Sequence, residues 1–470
     1  MSLTKVSYSM ITGAPVNVLD YGASTSASAA ANTAAIQAAI DAAPDGSTIL
    51  IPPGTYSVIY GSLNFTRRQS LTITSGSTRD STILQANAAA ATSSTPLIDV
   101  VGCFQLLFVG IQFTGVSSSG IGVYIHRPIT GADKVSTGIN FNNCSFSYFS
   151  VGVQIGRLDL VESNNEDMHF NSCEWQYCTI GYRQYYQNAL QNSISDGYLH
   201  NNGRDVHLGG NGYQTGSLLM TNANFSTTAG SNIYFELPCY LEINQCRSEF
   251  AAQFISSSTA FRSTAFPMFI LIGATIIAQT SAVLPMIDCR TMGFIAIGCQ
   301  FGQYVSDTPA FINLSGYYQK ATLICCSFNV PVTYGLNTST WTGTIYILGG
   351  NDGYGQFSLS GCNEWITSAS EYRPIADNNF VYYGLYQITT SATPDVRGSN
   401  TWLVNNTTAP LTITNFTGLE DQKFTLVNYT GSTQTTTIKN NATIKTITGA
   451  DTVLVSGMTF VNILGVFYQI

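Results

Sequence analysis

Carboxylates are scarce in this chain, so the place where they gather is informative. Of 26 Asp and Glu in 470 residues, seven fall between positions 159 and 205: Asp159, Glu162, Glu166, Asp167, Glu174, Asp196 and Asp205. Glycosidic hydrolysis needs two carboxyl groups, one to protonate the leaving oxygen and one to activate water or attack the sugar. Glu166, Asp167, Glu174 and Asp196 are the candidate catalytic acids. His169, Arg183, Tyr185, Tyr198, His200, Arg204, Asp205 and Glu242 are candidates for holding a ligand, since tyrosine rings suit the C–H faces of sugars and the basic side chains suit its polar groups. The bland alternative for these acids is a set of solvated turn positions or ion pairs with Arg183 and Arg204.

Elimination of a proton beside a uronate carboxylate is a competing chemistry. It needs a base and a cation, and Lys is absent between Lys134 and Lys320. Arginines such as Arg183, Arg204 and Arg247 would have to serve, so hydrolysis ranks ahead of elimination. Eleven Cys occur without paired C-x-x-C spacing or zinc-like His partners, so neither metal nor cofactor is expected. A net charge of −8 with 18 Lys plus Arg argues against a nucleic-acid partner. The longest apolar run, Phe269 to Ala278, is about half of a membrane span, so no membrane insertion is expected.

Elements that could position these residues emerge from a repeat. A short phrase recurs as FVGIQF (Phe108 to Phe113), FNNCSF (Phe141 to Phe146), FNSCEW (Phe170 to Trp175) and ISDGYL (Ile194 to Leu199). It continues through MTNANF, INQCRS, LIGATI, AIGCQF and LICCSF to SGCNEW at Ser360 to Trp365, with a period of about 28 residues. Each unit reads as one coil of a parallel β-helix: a strand, a sharp turn at the Asn, Cys or Gly position, a second strand and a return. Phe146, Trp175, Phe225, Phe301, Phe328 and Trp365 should stack inside, and the Cys near the turns should be small buried fillers. The register sends Met168, Phe170, Tyr182 and Val206 inward. It sends Asp167, His169, Glu174, Arg183, Asp205 and His207 outward, with Tyr240 and Glu242 in the column of Asp167 and His169. One groove would then collect Glu166, Asp167, Glu174 and Asp196.

The ends differ from the middle. Asn32 to Ala43 (NTAAIQAAIDAA) reads as an amphipathic helix with Ile36 and Ile40 on one stripe, capping the first coil. After about Arg397 the phrase gives way to alternating Thr-rich segments such as APLTITNF and KFTLVNY, which read as antiparallel hairpins. The expected layout is an N-terminal capping segment over 1–60, a β-helix over 61–395 and a small β-domain over 396–470.

The opening KVSYSMITGAPVNVLDYGA (Lys5 to Ala23), the helix segment and DGSTILIPPGTY (Asp45 to Tyr56) resemble the N-terminal signature of pectate-lyase-like bacteriophage tailspike proteins. The stretch from Asn405 to Ile470 resembles the trimerisation tail of the same group. The resemblance implies an all-β right-handed parallel β-helix, a homotrimer and a place in the virion at the phage tail beside other tail proteins, after synthesis in the host cytoplasm. It further implies binding and cleavage of bacterial capsular polysaccharide or lipopolysaccharide O-antigen. Because coil sequence begins almost at Met1, the expectation is docking through a short peptide or another tail protein, or a prophage origin for the chain.

Overall fold

A computed structural model describes residues 13–128, 135–157, 164–185, 189–209, 216–226, 228–236, 239–257, 268–278, 285–290, 293–303, 310–348, 352–358, 364–367, 371–372, 382–383, 386–389, 391–394, 401–404, 409–418, 423–428, 434–454 and 457–470. Asp159 and Glu162 lie outside these residues. The chain divides into two compact units. The first runs from Met1 to Ala321 with returns at Cys326–Gly343 and Tyr354–Gly361, and the second is mainly Cys362–Ile470.

The first unit is a parallel β-solenoid, and the solenoid makes about ten turns. Each coil in its middle carries three strands. In one coil these are His169–Asn171, Glu174–Gln176 and Ile180–Gln184; in the next they are Asn192–Ser195, Tyr198–His200 and Arg204–Leu208. Equivalent strands pair in parallel and in register, His169 with Ser193, Glu174 with Tyr198 and Arg183 with His207, which builds three long faces. A lone coil cannot bury its inward residues; stacking supplies both the ladder and the core.

The repeated phrase is the corner between the first two faces. Its third residue takes a left-handed backbone: Gly110, Asn143, Ser172, Asp196, Asn222, Gln245, Gly273, Gly298 and Cys325 all have φ between 50° and 68°. The amide of each turn residue from Asn143 to Gly273 donates to a carbonyl of the following coil, as Ser172 does to Ser195 and Asp196 to Thr221. The fourth residue points in, and Cys144, Cys173, Cys246, Cys299 and Cys326 are buried there as free thiols, as expected of small fillers. The sixth residue builds the aromatic stack. Phe113 to Phe146 is 5.3 Å and Phe146 to Trp175 is 5.5 Å between ring centres, each pair stacked. Phe225 and Phe301 continue that column inward, with Leu199, Ser248 and Ile276 taking the intervening coils. Cys362 and the side chains of Phe328 and Trp365 lie outside the described set.

A helix over Ala29–Ala42 closes the start of the solenoid. Ser28 caps it by accepting from Ala31 N at 3.2 Å, a contact worth about 1 kcal/mol. Ile36 and Ile40 are buried and line one small space with Ile49, Ile51, Leu63 and Phe65, so the helix covers the otherwise open end of the core.

The second unit has its own core, with Phe416 between Phe424, Phe460 and Phe467 at 5.0, 5.3 and 5.2 Å. Its six-stranded sheet contains the expected antiparallel pairs, Lys423–Asn428 with Met458–Ile463 and the latter with Val466–Gln469. It also contains parallel ones, such as Thr401–Val404 with Lys423–Asn428. The hairpin reading therefore covers part of this unit only, because strands this short carry no sequence mark of which neighbour they choose.

Candidate functional site

Outward residues on the first two faces bring together side chains far apart in sequence. Glu174 opens the second strand of its coil and sits 16% exposed, with both carboxylate oxygens occupied. His200, one coil on, donates from Nε2 to Oε1 at 2.9 Å. Arg79 Nη2 lies 2.9 Å from Oε2, while its Nη1 donates to the Ser172 carbonyl at 3.3 Å. Asn201 Nδ2 donates to His200 Nδ1 at 2.8 Å, which fixes the ring proton on Nε2, facing Glu174. The His200 hydrogen bond, more than the nearby Arg79 charge, holds the Glu174 carboxyl below its usual range despite partial burial. Glu174 is therefore ionised, suited to activating water rather than donating a proton.

Aromatic rings border this carboxylate. Tyr198 stacks on His200 at 4.2 Å, and Tyr177 meets the same imidazole edge-on at 6.3 Å. Tyr177 stacks on Tyr148 of the preceding coil at 5.0 Å. Tyr148, Tyr177 and Tyr198 are 45%, 43% and 41% exposed, so the rings lie open to solvent. Tyr148 and Tyr177 hold φ of 61° and 54°, a left-handed conformation that bulky residues rarely adopt. The next coil uses Asn201 at that turn, with φ of 54° and little strain. Two tyrosines kept where asparagine suffices point to work done by the rings.

Of the four candidate acids, Glu174 and Asp196 lie in adjacent coils. Asp196 is the corner counterpart of Ser172, two residues before the Glu174 column and one coil on, on the order of 8 Å between backbones. It is exposed and accepts from Asn222 Nδ2 at 3.2 Å. Asp167 accepts from His169 Nε2 at 2.8 Å, and Ser193 lies 2.7 Å from His169 Nδ1. Glu166 belongs to a separate two-stranded ladder, pairing with Thr137. Glu242 shares the column of His169 three coils on, as expected, and accepts from Tyr240 at 2.9 Å and Asn244 at 3.0 Å.

Arg183, Arg204 and Tyr185 are on the third face rather than in this groove. Arg183 follows Gln154 in the outward column, and Tyr185 is buried at the strand end. The reading that Asp205 points outward is corrected. Pairing joins Ile180 to Arg204 and Tyr182 to Val206 and passes over Gly181 and Asp205, so two successive residues turn inward at this corner. Preceding coils place Gly122, Gly152 and Gly181 there. A Cβ on Gly152 would stand 2.6 Å from the Gly181 carbonyl oxygen. Asp205 is wholly buried and accepts from Asn202 Nδ2 at 2.8 Å, Thr228 Oγ1 at 2.5 Å and Asn232 Nδ2 at 2.6 Å. Burial pushes its carboxyl up to about 6, against the pull of those three donors.

Sequence reasoning missed Arg79, Tyr148 and Tyr177. The tyrosines carried a signal, since they are 29 residues apart and both follow the second strand of a coil. Arg79 carried none, because its short 3-10 turn (Arg79–Ser81) reaches a coil three ladders further on. Among the described residues no group of three His, Cys, Asp or Glu could hold a metal ion, and no helix is long and apolar enough to cross a membrane.

Comparison with known proteins agrees with a pectate-lyase-like solenoid. A family model described as "Rhamnogalacturonase A/epimerase, pectate lyase-like" matches residues 15–100. Similar solved structures include ORF18 of Geobacillus virus E2, at 17% identity over 76% of this chain and 62% of that one, with a TM-score of 0.40. The catalytic unit of a GH87 α-1,3-glucanase from Streptomyces thermodiastaticus is similar at 11% identity over 76% and 68%, with a TM-score of 0.47. The enzymatically active domain of bacteriophage CBA120 tailspike protein 2 is similar at 11% over 84% and 47%, with a TM-score of 0.36. This chain thus spans less than two thirds of the length of the Geobacillus virus protein. No curated protein matches the chain in sequence.

Proposed function

We propose that this chain is a tailspike-type depolymerase that binds and hydrolyses a bacterial surface polysaccharide, capsule or O-antigen, during adsorption of a phage to its host. The observation that carries this reading is Glu174, ionised between Arg79 and His200 and bordered by three exposed tyrosines. In the proposed reaction Glu174 takes a proton from water, and the water oxygen forms the new bond to the anomeric carbon. Asp196 delivers a proton to the departing glycosidic oxygen. The two carboxylates sit on outward positions of adjacent coils, and the distance between their carboxyl groups with sugar bound decides whether water attacks directly or a covalent intermediate forms. Tyr148, Tyr177 and Tyr198 give the glycan an exposed aromatic wall beside Glu174.

The test is Glu174→Gln and Asp196→Asn, each assayed for reducing-end release from purified host polysaccharide and for halo formation on the host lawn. Loss of cleavage with the fold retained supports the assignment. Full activity in both variants overturns it, and an unsaturated product in place of a hydrolysed one makes the enzyme a lyase of the same fold.

A second reading, a glycan-binding tail protein that does not cut, is favoured by one observation. Both Glu174 oxygens are already engaged, as in a structural ion pair. Binding without reducing-end release would establish it. In either case a homotrimer is proposed. The second unit leaves Ile447, Ile463, Leu464 and Ile470 exposed at 70%, 47%, 80% and 56%, apolar surface that suits a second copy of the chain.

A further inference from the structure

The third face carries a charged cluster that the proposed cleavage does not use. Gln154, Arg183, His207 and Tyr234 stand one above another on four successive coils. Arg204 leaves the same strand as His207 and lays its guanidinium over the Tyr234 ring at 4.1 Å. The Arg183 guanidinium lies 5.6 Å from the Tyr185 ring. His207 donates from Nε2 to Glu236 at 3.1 Å, and Gly209 leaves room for that carboxylate.

Among the described residues the charges here do not balance. Among the described residues two guanidiniums face one carboxylate, since burial and then Arg183 push the His207 imidazole down to about 4 and keep it neutral. Arg183 Nε and His207 Nδ1 are buried, and among the described residues neither has a partner. His207 is itself 8% exposed, and Glu236 is 47% exposed at the rim. Burial of incompletely paired cations is unfavourable unless something else offsets it. This surplus stands out in a chain of net charge −8 that has only 18 Lys plus Arg.

We propose that this face is an anion subsite in which Arg183 and Arg204 grip a carboxylate or phosphate substituent of the glycan, with Tyr234 flanking the sugar. A guanidinium presents a planar fork of donors that matches either anion, and a tyrosine ring beside it gives the sugar an apolar wall. Glu236 is a positioning residue that orients His207 and competes with the incoming anion. The inference rests on the reading of the chain as a glycan-binding protein, but not on cleavage.

The experiment measures binding of glucuronate, glucose 6-phosphate and glucose to the full chain by saturation-transfer NMR. One of the two anions should bind saturably and at least about tenfold more tightly than glucose, and the anion that does so identifies the substituent. Arg183→Gln and Arg204→Gln should each weaken that binding by about tenfold or more. Glu236→Gln should tighten it several-fold, a gain that no misfolded variant can mimic. Equal binding of glucose and both acids, an arginine variant that binds like wild type, or weaker binding by Glu236→Gln would overturn the subsite. Glu174→Gln separates the two proposals: an inert Glu174 removes the cleavage reading and leaves anion binding in place.

Discussion

Glu174 and Asp205 are carboxylates in adjacent coils of one solenoid, and the fold treats them in opposite ways. Glu174 lies on the outside, where His200 and Arg79 hold it ionised within reach of solvent. Asp205 lies inside a corner that earlier coils fill with glycine, and burial pushes it up to about 6. The difference teaches that a carboxylate in a β-helix takes its role from its place in the coil. At an outward strand position it serves the surface, and at a corner where two successive residues turn inward it ties coils together through Asn202, Thr228 and Asn232.

The comparison breaks first at Glu174. If this residue carries the chemistry, Glu174→Gln lowers kcat on host polysaccharide by roughly 10²–10⁴-fold, with circular dichroism unchanged. Asp205→Ala should do the reverse, costing about 3 kcal/mol or more of unfolding free energy by leaving three donors without an acceptor, as read from denaturant unfolding. A catalytic loss in a well-folded Asp205→Ala protein would erase the distinction.

The pH dependence sharpens the contrast. The folded value of Asp205 lies above its unfolded one, so its contribution to stability is complete below about pH 4 and is lost as pH rises through 6, on the order of 3 kcal/mol. The folded value of Glu174 is depressed, so its contribution is present above its unfolded value and is lost as pH falls. Unfolding midpoints between pH 4 and 8 should therefore fall less steeply from pH 4 to 6 in Asp205→Asn than in wild type. An unchanged slope removes the buried-carboxylate account.

Smaller effects follow at the surfaces. Tyr177→Asn exchanges a strained turn residue for one that tolerates the left-handed region, and loses ring stacking. Stability should stay within about 1 kcal/mol while glycan affinity drops several-fold; unaltered affinity would make the tyrosine pair ornamental. In the second unit, Leu464→Asp should shift the sedimenting mass from trimer toward monomer without melting that unit. A trimer of undiminished strength places the contact elsewhere.

The coil register was legible because its cause is local. The phrase FNNCSF needs a left-handed third residue and a small fourth one, and both follow from residue type at Asn143 and Cys144. The capping helix was legible too, in Ile36 and Ile40, although it starts at Ala29, three residues ahead of the expected Asn32, with Ser28 as its cap. The candidate groove was legible only in part. Strict alternation predicts His169, Glu174 and Arg183 correctly, then fails at Asp205, because Asp205 and Val206 both turn inward at the corner, which leaves no mark in composition.

By itself the sequence determined the repeat, the inward stack from Phe113 to Trp175 and the placement of seven acids in one stretch, since short-range turn chemistry and period-two burial write these directly into residue order. Tertiary structure alone decided which acids share a face. It brought Arg79 across three coils to Glu174, moved Arg183 and Arg204 to another side of the solenoid and enclosed Asp205. The physical reason is that stacking sets neighbours by coil and face, so residues 95 apart can touch while residues nine apart point away from one another.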